Sequence, residues 1–195
     1  MNGCKFYNCS SNVNVNANES AGIASQAYGT ITMINCYNKG NGVTGGLINW
    51  DERGKATIIN CYNSGQINGR EKELRPYNVA GGIISASTSN DKTQKSTLIN
   101  VLSLGKFRNY ACNFYYTYTD TVNNLENCFY PASIAAENSK LTINEGSIAI
   151  DENNVKEVLD QLNEYVKEHK NDYEVPLKEW KLEVINGEKM PVLAE

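Results

Sequence analysis

The sequence predicts an all-β protein: a right-handed parallel β-helix (β-solenoid) of about five coils, closed by a small α+β unit at its C-terminus. A recurring phrase carries this expectation. Asn35-Cys36-Tyr37-Asn38-Lys39-Gly40 returns as Asn60-Cys61-Tyr62-Asn63-Ser64-Gly65 and is echoed by Asn100-Val101-Leu102-Ser103-Leu104-Gly105. Asn8-Cys9-Ser10 opens the series and Asn127-Cys128-Phe129-Tyr130 closes it. Positions 9, 36, 61, 101 and 128 are 27, 25, 40 and 27 residues apart, a range in which each recurrence stands for one structural unit. A second phrase keeps the same beat: Ala21-Gly22-Ile23-Ala24, Gly45-Gly46-Leu47-Ile48 and Gly81-Gly82-Ile83-Ile84. The third observation is compositional. The chain holds 28 asparagines, a residue that tolerates left-handed backbone and bonds its own neighbouring backbone, so it gathers at tight turns.

Residues 56–65 illustrate one unit. Ala56 to Tyr62 is rich in β-branched and aromatic residues and reads as a strand, and Asn63-Ser64-Gly65 breaks it. Gln66 to Gly69 supplies a second short strand, and Arg70 to Tyr77 is a charged loop holding Pro76. Val79 to Ser85 is the next strand, followed by a polar loop from Thr88 to Ser96. The 40-residue interval is thus a normal one with two inserted loops, Arg70–Tyr77 and Ser87–Lys95, and insertions in repeat folds gather on one face. A propeller needs about four strands per blade, which the shorter units cannot supply.

The positions around each asparagine sort into columns. Met33, Ile58, Leu98 and Leu125 stand two residues before it and are assigned to the core. Ile34, Ile59, Ile99 and Glu126 stand one before it, and the glutamate marks an exposed or sheltered-edge column. The asparagines turn a corner and stack as an amide ladder, each giving to one neighbour and accepting from the other. The sequence leaves open whether the cysteine or the following tyrosine points inward. Of the six cysteines, Cys9, Cys36, Cys61 and Cys128 form one column and read as free thiols, because parallel Cβ vectors suit small apolar packing better than bridging, while Cys4 and Cys112 fall off the column and stay open. Gly46 and Gly82 follow turns, where a missing Cβ permits close backbone approach, and no phosphate-cradling glycine pattern occurs.

Past residue 150 the period changes, giving a boundary between repeats over 1–148 and a C-terminal unit over 149–195. Asp151 to Asn154 predicts an N-cap with acids in the first turn. Val155, Val158, Leu159, Leu162, Tyr165 and Val166 form one stripe of an amphipathic helix, with Lys167, His169 and Lys170 at its C-terminal end. Leu177 to Val184 alternates like a strand, Asn186-Gly187 signals a type I′ hairpin, and Met190 to Leu193 returns. The unit is expected to lie across the last coil with Trp180 as its anchor.

Charge and composition narrow the function. Residues 1–150 carry 12 basic and 10 acidic side chains, net +2, and residues 151–195 carry 6 and 12, net −6. Neither half has the positive density that nucleic acid requires. There is no apolar run long enough for a membrane span and no signal-peptide pattern. The start within a repeat, at Cys4 to Cys9, predicts a fragment of a longer secreted chain or an edge covered by a partner copy. One histidine and no CxxC pairing leave no zinc site, acids are too sparse for calcium, and no cofactor motif is found.

Gly45-Gly46-Leu47-Ile48 together with Ile59 to Gly69 resembles the GLUG-type repeat of large bacterial secreted and surface proteins. The resemblance covers roughly residues 20–130. The ending Trp180…Asn186-Gly187-Glu188-Lys189-Met190-Pro191-Val192-Leu193 is similar to the Trp…Gly-x-Pro segment found downstream of such repeats, with Met190 where an aromatic is usual. It implies extracellular or cell-surface display and adhesin-like partners, host or microbial glycans or surface proteins, and it carries no catalytic residues.

The aromatic run from Tyr110 to Asp120 supplies the candidate site. On a strand, Phe114, Tyr116, Tyr118 and Asp120 share one face, with Tyr115, Thr117 and Thr119 opposite. Exposed, the Tyr116/Tyr118/Asp120 face offers flat rings and polar groups that suit a sugar. The alternative is that the rings close the last coil beneath the C-terminal unit. The leading expectation is therefore a non-enzymatic module for adhesion, ligand binding or spacing. The alternative is a polysaccharide lyase or glycosidase using carboxylates on the inserted loops, for example Asp51 with Glu71, although mixed charge in loops reads first as solvated surface. His169 is read as a surface residue complementing its helix dipole.

Overall fold

In the computed structural model, residues 3–15, 17, 19–52, 55–69, 80–88, 95–117 and 124–195 are described. The first repeat contributes β1 (Cys4–Tyr7), β2 (Ser10–Ser11) and β3 (Ala24–Tyr28). The second adds β4 (Ile31–Ile34), β5 (Tyr37–Asn38) and β6 (Ile48–Glu52). The third has β7 (Ala56–Asn63), β8 (Ile67–Asn68), β9 (Ala80–Gly81) and β10 (Ile84–Thr88). The fourth has β11 (Thr97–Ser103), β12 (Phe107–Arg108), β13 (Ala111–Cys112) and β14 (Tyr115–Thr117). Then come β15 (Asn124–Pro131), α1 (Ala132–Glu137), β16 (Leu141–Thr142), β17 (Ser147–Ile150), α2 (Val155–His169), β18 (Trp180–Ile185) and β19 (Glu188–Leu193).

These strands correct the expected class. The chain is not an all-β right-handed parallel β-helix of about five coils: its described residues form 19 strands divided among several separate parallel sheets and one antiparallel pair, together with two helices, and no solenoid is identified in it. The sheets are unequal because successive repeats do not contribute alike. The largest parallel sheet follows the order β1-β4-β7-β11-β15-β17, with β2 and β5 alongside. A second has four strands, β14-β10-β6-β3, and a third has β16-β13-β9. The β8–β12 sheet has only two strands, and the last repeat supplies α1 after β15 instead of another strand there. The run around Gly81-Gly82 is two strands, not one, because the chain bends at Gly82-Ile83. The inserted loops fall mostly on residues 70–79 and 89–94, outside the described residues.

Register explains the sequence columns. Val101 pairs with Cys61 on one side and Cys128 on the other, and Leu102 lies between Tyr62 and Phe129. Cys36, Cys61, Val101 and Cys128 all face the first apolar core, with Met33, Ile58 and Leu98. Tyr62, Leu102 and Phe129 face the opposite way, into a second core. The alternation is broken between them by the asparagines. Asn8, Asn35, Asn60, Asn100 and Asn127 all have φ near +50°, a left-handed conformation that asparagine tolerates better than other side-chain-bearing residues. The first four of their amides form a ladder: Asn35 Nδ2 donates to Asn8 Oδ1 at 3.0 Å, Asn60 Nδ2 to Asn35 Oδ1 at 2.8 Å, and Asn100 Nδ2 to Asn60 Oδ1 at 2.8 Å, whereas Asn127, expected to continue it, accepts from Gln161 Nε2 at 2.8 Å instead.

The C-terminal unit does not lie across the end of the stack. It covers the outer face of the largest sheet, where Ile34, Ile59, Tyr62, Leu102 and Phe129 meet Val158, Leu162, Trp180 and Val192. Ile34 and Ile59 are thus buried, which settles the column marked by Glu126 as a sheltered one. Trp180 packs 6.2 Å from the Tyr62 ring, and Tyr62 stacks on Tyr37 at 4.9 Å. The segment between α2 and β19 also reads the ladder. Trp180 Nε1 donates to Asn60 Oδ1 at 2.6 Å, Asn60 Nδ2 to the Lys178 carbonyl at 2.8 Å, and Asn35 Nδ2 to the Pro176 carbonyl at 2.9 Å. Asn154, before α2, makes no side-chain cap; Asp151 Oδ1 instead accepts the Asn153 and Asn154 N–H groups, and Glu157 is the acid of the first turn. Asn186 and Gly187 both have positive φ, as the type I′ turn requires. His169 lies in the last turn of α2, with Nδ1 2.8 Å from Asp172.

Different groups lie at the end formed by the last repeat, where β16 and β17 are the terminal strands of their sheets. α1 sends Ile134 into the first core. The Asn144 side chain takes the place of a further strand beside β14: its Oδ1 accepts the N–H groups of Phe114 and Tyr115 at 3.0 and 3.1 Å, and its Nδ2 donates to the Tyr115 carbonyl at 3.0 Å. Gly46 and Gly82 have ordinary φ, so close approach is the reason for glycine there. A Cβ on Gly46 would meet the Gly82 carbonyl and the Asn63 side chain.

All six cysteines are free thiols; Cys4 is exposed, Cys9 half-buried and the rest buried. Burial pushes the Cys128 thiol up to about 12, while a hydrogen bond with Cys61 holds enclosed Cys36 down at about 7. Iodoacetamide should therefore label Cys4 first and Cys9 more slowly. It should reach Cys36, Cys61, Cys112 and Cys128 only on unfolding, which peptide mass mapping reads directly.

Asn60→Ala removes the residue at the centre of the ladder, strains a positive φ and strips buried Trp180 of its acceptor. It should cost about 3 kcal/mol in urea unfolding, as expected when more than one buried polar group loses its partner.

Candidate functional site

The expected aromatic face divides in the structure. Phe114 lies at a bend before β14 and is fully buried in the first core, so it does not share a strand face with Tyr116. Tyr115 begins β14, pairs with Ile84 and packs against that core. Its neighbour Tyr116 is half-buried and belongs to neither core, consistent with the opposite face of the strand. Tyr118 and Asp120 lie outside the described residues.

Tyr116 is joined by residues that its own sequence neighbourhood does not reveal. In the four-stranded sheet, Gln26, Trp50 and Ala86 form one cross-strand row. The register between β10 and β14 shifts between Ile84 and Ser87, so that Ser85 and Ala86 together oppose Tyr116. Such a bulge re-aims side chains locally. The row therefore runs Gln26, Trp50, Ala86, Tyr116, with the methyl of Ala86 between two aromatic residues. With strands about 4.8 Å apart, Trp50 and Tyr116 stand roughly 10 Å from each other across the sheet. Trp50 is half-buried, belongs to neither core and, like Tyr116, makes contacts within the fold that hold it in place. At the margin Tyr28 is 60 % exposed, and Gln26 Nε2 donates to its hydroxyl at 2.6 Å. Trp50 could have been found by aligning the second phrase to the sheet register rather than by searching for aromatic runs.

Behind this row lies a polar group read from sequence as solvated. Asp51 is on β6, in register with Ala27 and Ser87, and is 0 % exposed. Small neighbours on both adjacent strands give its carboxyl room to turn inward. Ser96 Oγ donates to Oδ2 at 2.6 Å and the Ala56 N–H at 3.3 Å. Oδ1 and the Ser87 hydroxyl make no hydrogen bond among the described residues. Burial raises the Asp51 carboxyl above the usual carboxylate range. The Ser96 hydroxyl and the Ala56 and Lys55 backbone oppose that, with a smaller contribution from nearby Ser87. Enclosed in this way, Asp51 is no partner for a substrate in the expected Asp51–Glu71 pair, and Glu71 lies outside the described residues together with Glu73.

A separate cleft of about 520 Å³ lies between α1, the turn before α2 and the β18–β19 turn. Ile150, Val155 and Met190 floor it, and Asp151, Glu152 and Glu188 line it, with Ser133 Oγ holding Glu188 at 2.9 Å. Among the described residues no three His, Cys, Asp or Glu side chains converge as a metal site, and no helix is long and apolar enough to cross a membrane.

No family model, curated protein or solved structure matches this chain, and nothing in those comparisons identifies a GLUG-type repeat.

The sign of the Asp51 effect is fixed by its raised folded-state pKa: the stabilisation from binding its proton is complete below the unfolded carboxyl range and is lost as pH rises through the folded value. Asp51→Asn keeps the shape and adds a donor facing Ser87. Urea unfolding at pH 7.5 should show the variant more stable than the parent, with the difference shrinking toward pH 4.

Proposed function

We propose that the protein is a non-enzymatic bacterial surface or secreted module that binds glycans on the outer face of its four-stranded sheet. The observation that carries this reading is the Trp50–Ala86–Tyr116 row: two aromatic residues on alternate strands with a methyl between them. Flat rings match the C–H faces of a pyranose, and the Tyr116 hydroxyl and the neighbouring Gln26–Tyr28 pair match its hydroxyls. A sheet face holds these groups more precisely than a loop would. The resemblance of the repeats to those of adhesin-like proteins supports extracellular display. The net charge of −6 over residues 151–195 disfavours polyanionic partners such as nucleic acid on that side of the molecule.

A glycan and mucin array tests the reading with the parent chain, Trp50→Ala and Tyr116→Ala. Selective binding by the parent is expected, with each variant weakened about 30-fold, the effect of losing an aromatic anchor worth roughly 2 kcal/mol. Folded variants that bind like the parent, or cleavage of a bound polysaccharide, would overturn it.

A further inference from the structure

The cleft between α1, the turn before α2 and the β18–β19 turn takes no part in the aromatic row, and its chemistry is of another kind. At about 520 Å³ it has the size of a small-molecule site. Its carboxylates come from two separate elements: Asp151 and Glu152 from the turn before α2, and Glu188 from the start of β19. Buried Ile150 and Met190 and half-buried Val155 supply its apolar lining. Two of the acids are fixed in place. Asp151 Oδ1 accepts the N–H groups of Asn153 and Asn154 at 2.8 and 3.2 Å, and Asn154 Nδ2 donates to the Ala149 carbonyl at 2.9 Å. Ser133 Oγ donates to Glu188 Oε2 at 2.9 Å. None of the three carboxylates forms an ion pair among the described residues.

The lining selects among ligand classes. An anion would gain from the nearby N-terminus of α2, but it would sit among three carboxylates with only Lys189 in compensation. Three negative groups and one positive give the lining a net charge of −2, so the fitting ligand is a cation. A metal ion is a poor match, because among the described residues no three acidic side chains converge on one point. A quaternary ammonium, a nucleobase or a sugar ring is poorly served as well, because no aromatic residue is among those that line the cleft. What remains is a flexible cation that carries its charge at separate points along an apolar chain. Methylene chains lie readily on aliphatic surface while their charged ends stay with polar groups.

We propose that this cleft binds an aliphatic polyammonium ion. Its methylenes contact Ile150, Val155 and Met190, one ammonium group is held by Asp151 and Glu152, and another is held by Glu188. Two ammonium groups match the net charge of the lining, and the turn and Ser133 contacts hold Asp151 and Glu188 in place before the ligand arrives.

Isothermal titration calorimetry of the full chain at low ionic strength tests this, with spermidine, putrescine, butylamine and magnesium chloride as probes. Spermidine and putrescine should bind at a single site per chain, and butylamine and magnesium should bind about tenfold more weakly or not at all. Glu152→Gln and Glu188→Gln, both at exposed positions, should each weaken spermidine about tenfold, the effect of losing one charge-assisted contact. Lys189→Gln removes the opposing charge and should tighten binding. Glu168→Gln, an exposed glutamate in the last turn of α2 and outside the cleft, should leave it unchanged. Circular dichroism confirms the fold of each variant. Failure of both polyamines to bind, magnesium binding as tightly as spermidine, or equal losses in Glu168→Gln and Glu188→Gln would overturn the proposal.

Discussion

The structure depends on one backbone constraint: a left-handed asparagine at the same place in each repeat. A strand whose alternation ran unbroken through Ile59-Asn60-Cys61-Tyr62 would put Ile59 and Cys61 on one side and Asn60 and Tyr62 on the other. Positive φ at Asn60 interrupts that alternation, so that Ile58 and Cys61 enter the first core while Ile59 and Tyr62 enter the second. One residue type thus creates two cores from a single strand. The same amides then stack, which satisfies side chains that would be costly to bury alone. From Asn8 to Asn100 each repeat therefore holds its neighbour through backbone pairing, apolar packing and an amide contact at once.

The C-terminal unit is tied to this device instead of to the end of the stack. Trp180, Lys178 and Pro176 meet the ladder from outside, and Tyr62, Leu102 and Phe129 give α2 and β18 an apolar surface. Placing the unit on the side leaves the end to α1 and Asn144. The four-stranded sheet that carries Trp50 and Tyr116 is a separate sheet from the one this unit covers. Lateral cover and end contacts are in this way assigned to separate groups of residues.

Much of the local structure was legible. The repeated phrases located the strands, the asparagine ladder, the free thiol column, the amphipathic stripe of α2 and the Asn186-Gly187 turn. The candidate site was less so. Tyr116 stood out because it sits in an aromatic run, but that run misled about Phe114, since a bend rather than a continued strand precedes β14. Trp50 was invisible as a partner because it is 66 residues away in sequence and shares a row with Tyr116 only across the bulged register of the intervening β10. Asp51 was misread because it sits among charged residues in the chain, while its surroundings in space are Ala27, Ser87 and Ser96.

By itself the sequence determined what recurs: the strand-forming phrases, their period, and the residues able to adopt a left-handed turn. These are local properties, set by backbone sterics and side-chain shape within a few residues. Only the tertiary structure decided how the strands divide into unequal sheets, which way the cysteines and tyrosines face, where the C-terminal unit lies and which aromatics share a surface. Those outcomes follow from register between strands 25 to 40 residues apart, where a shift of one residue turns a side chain from core to surface.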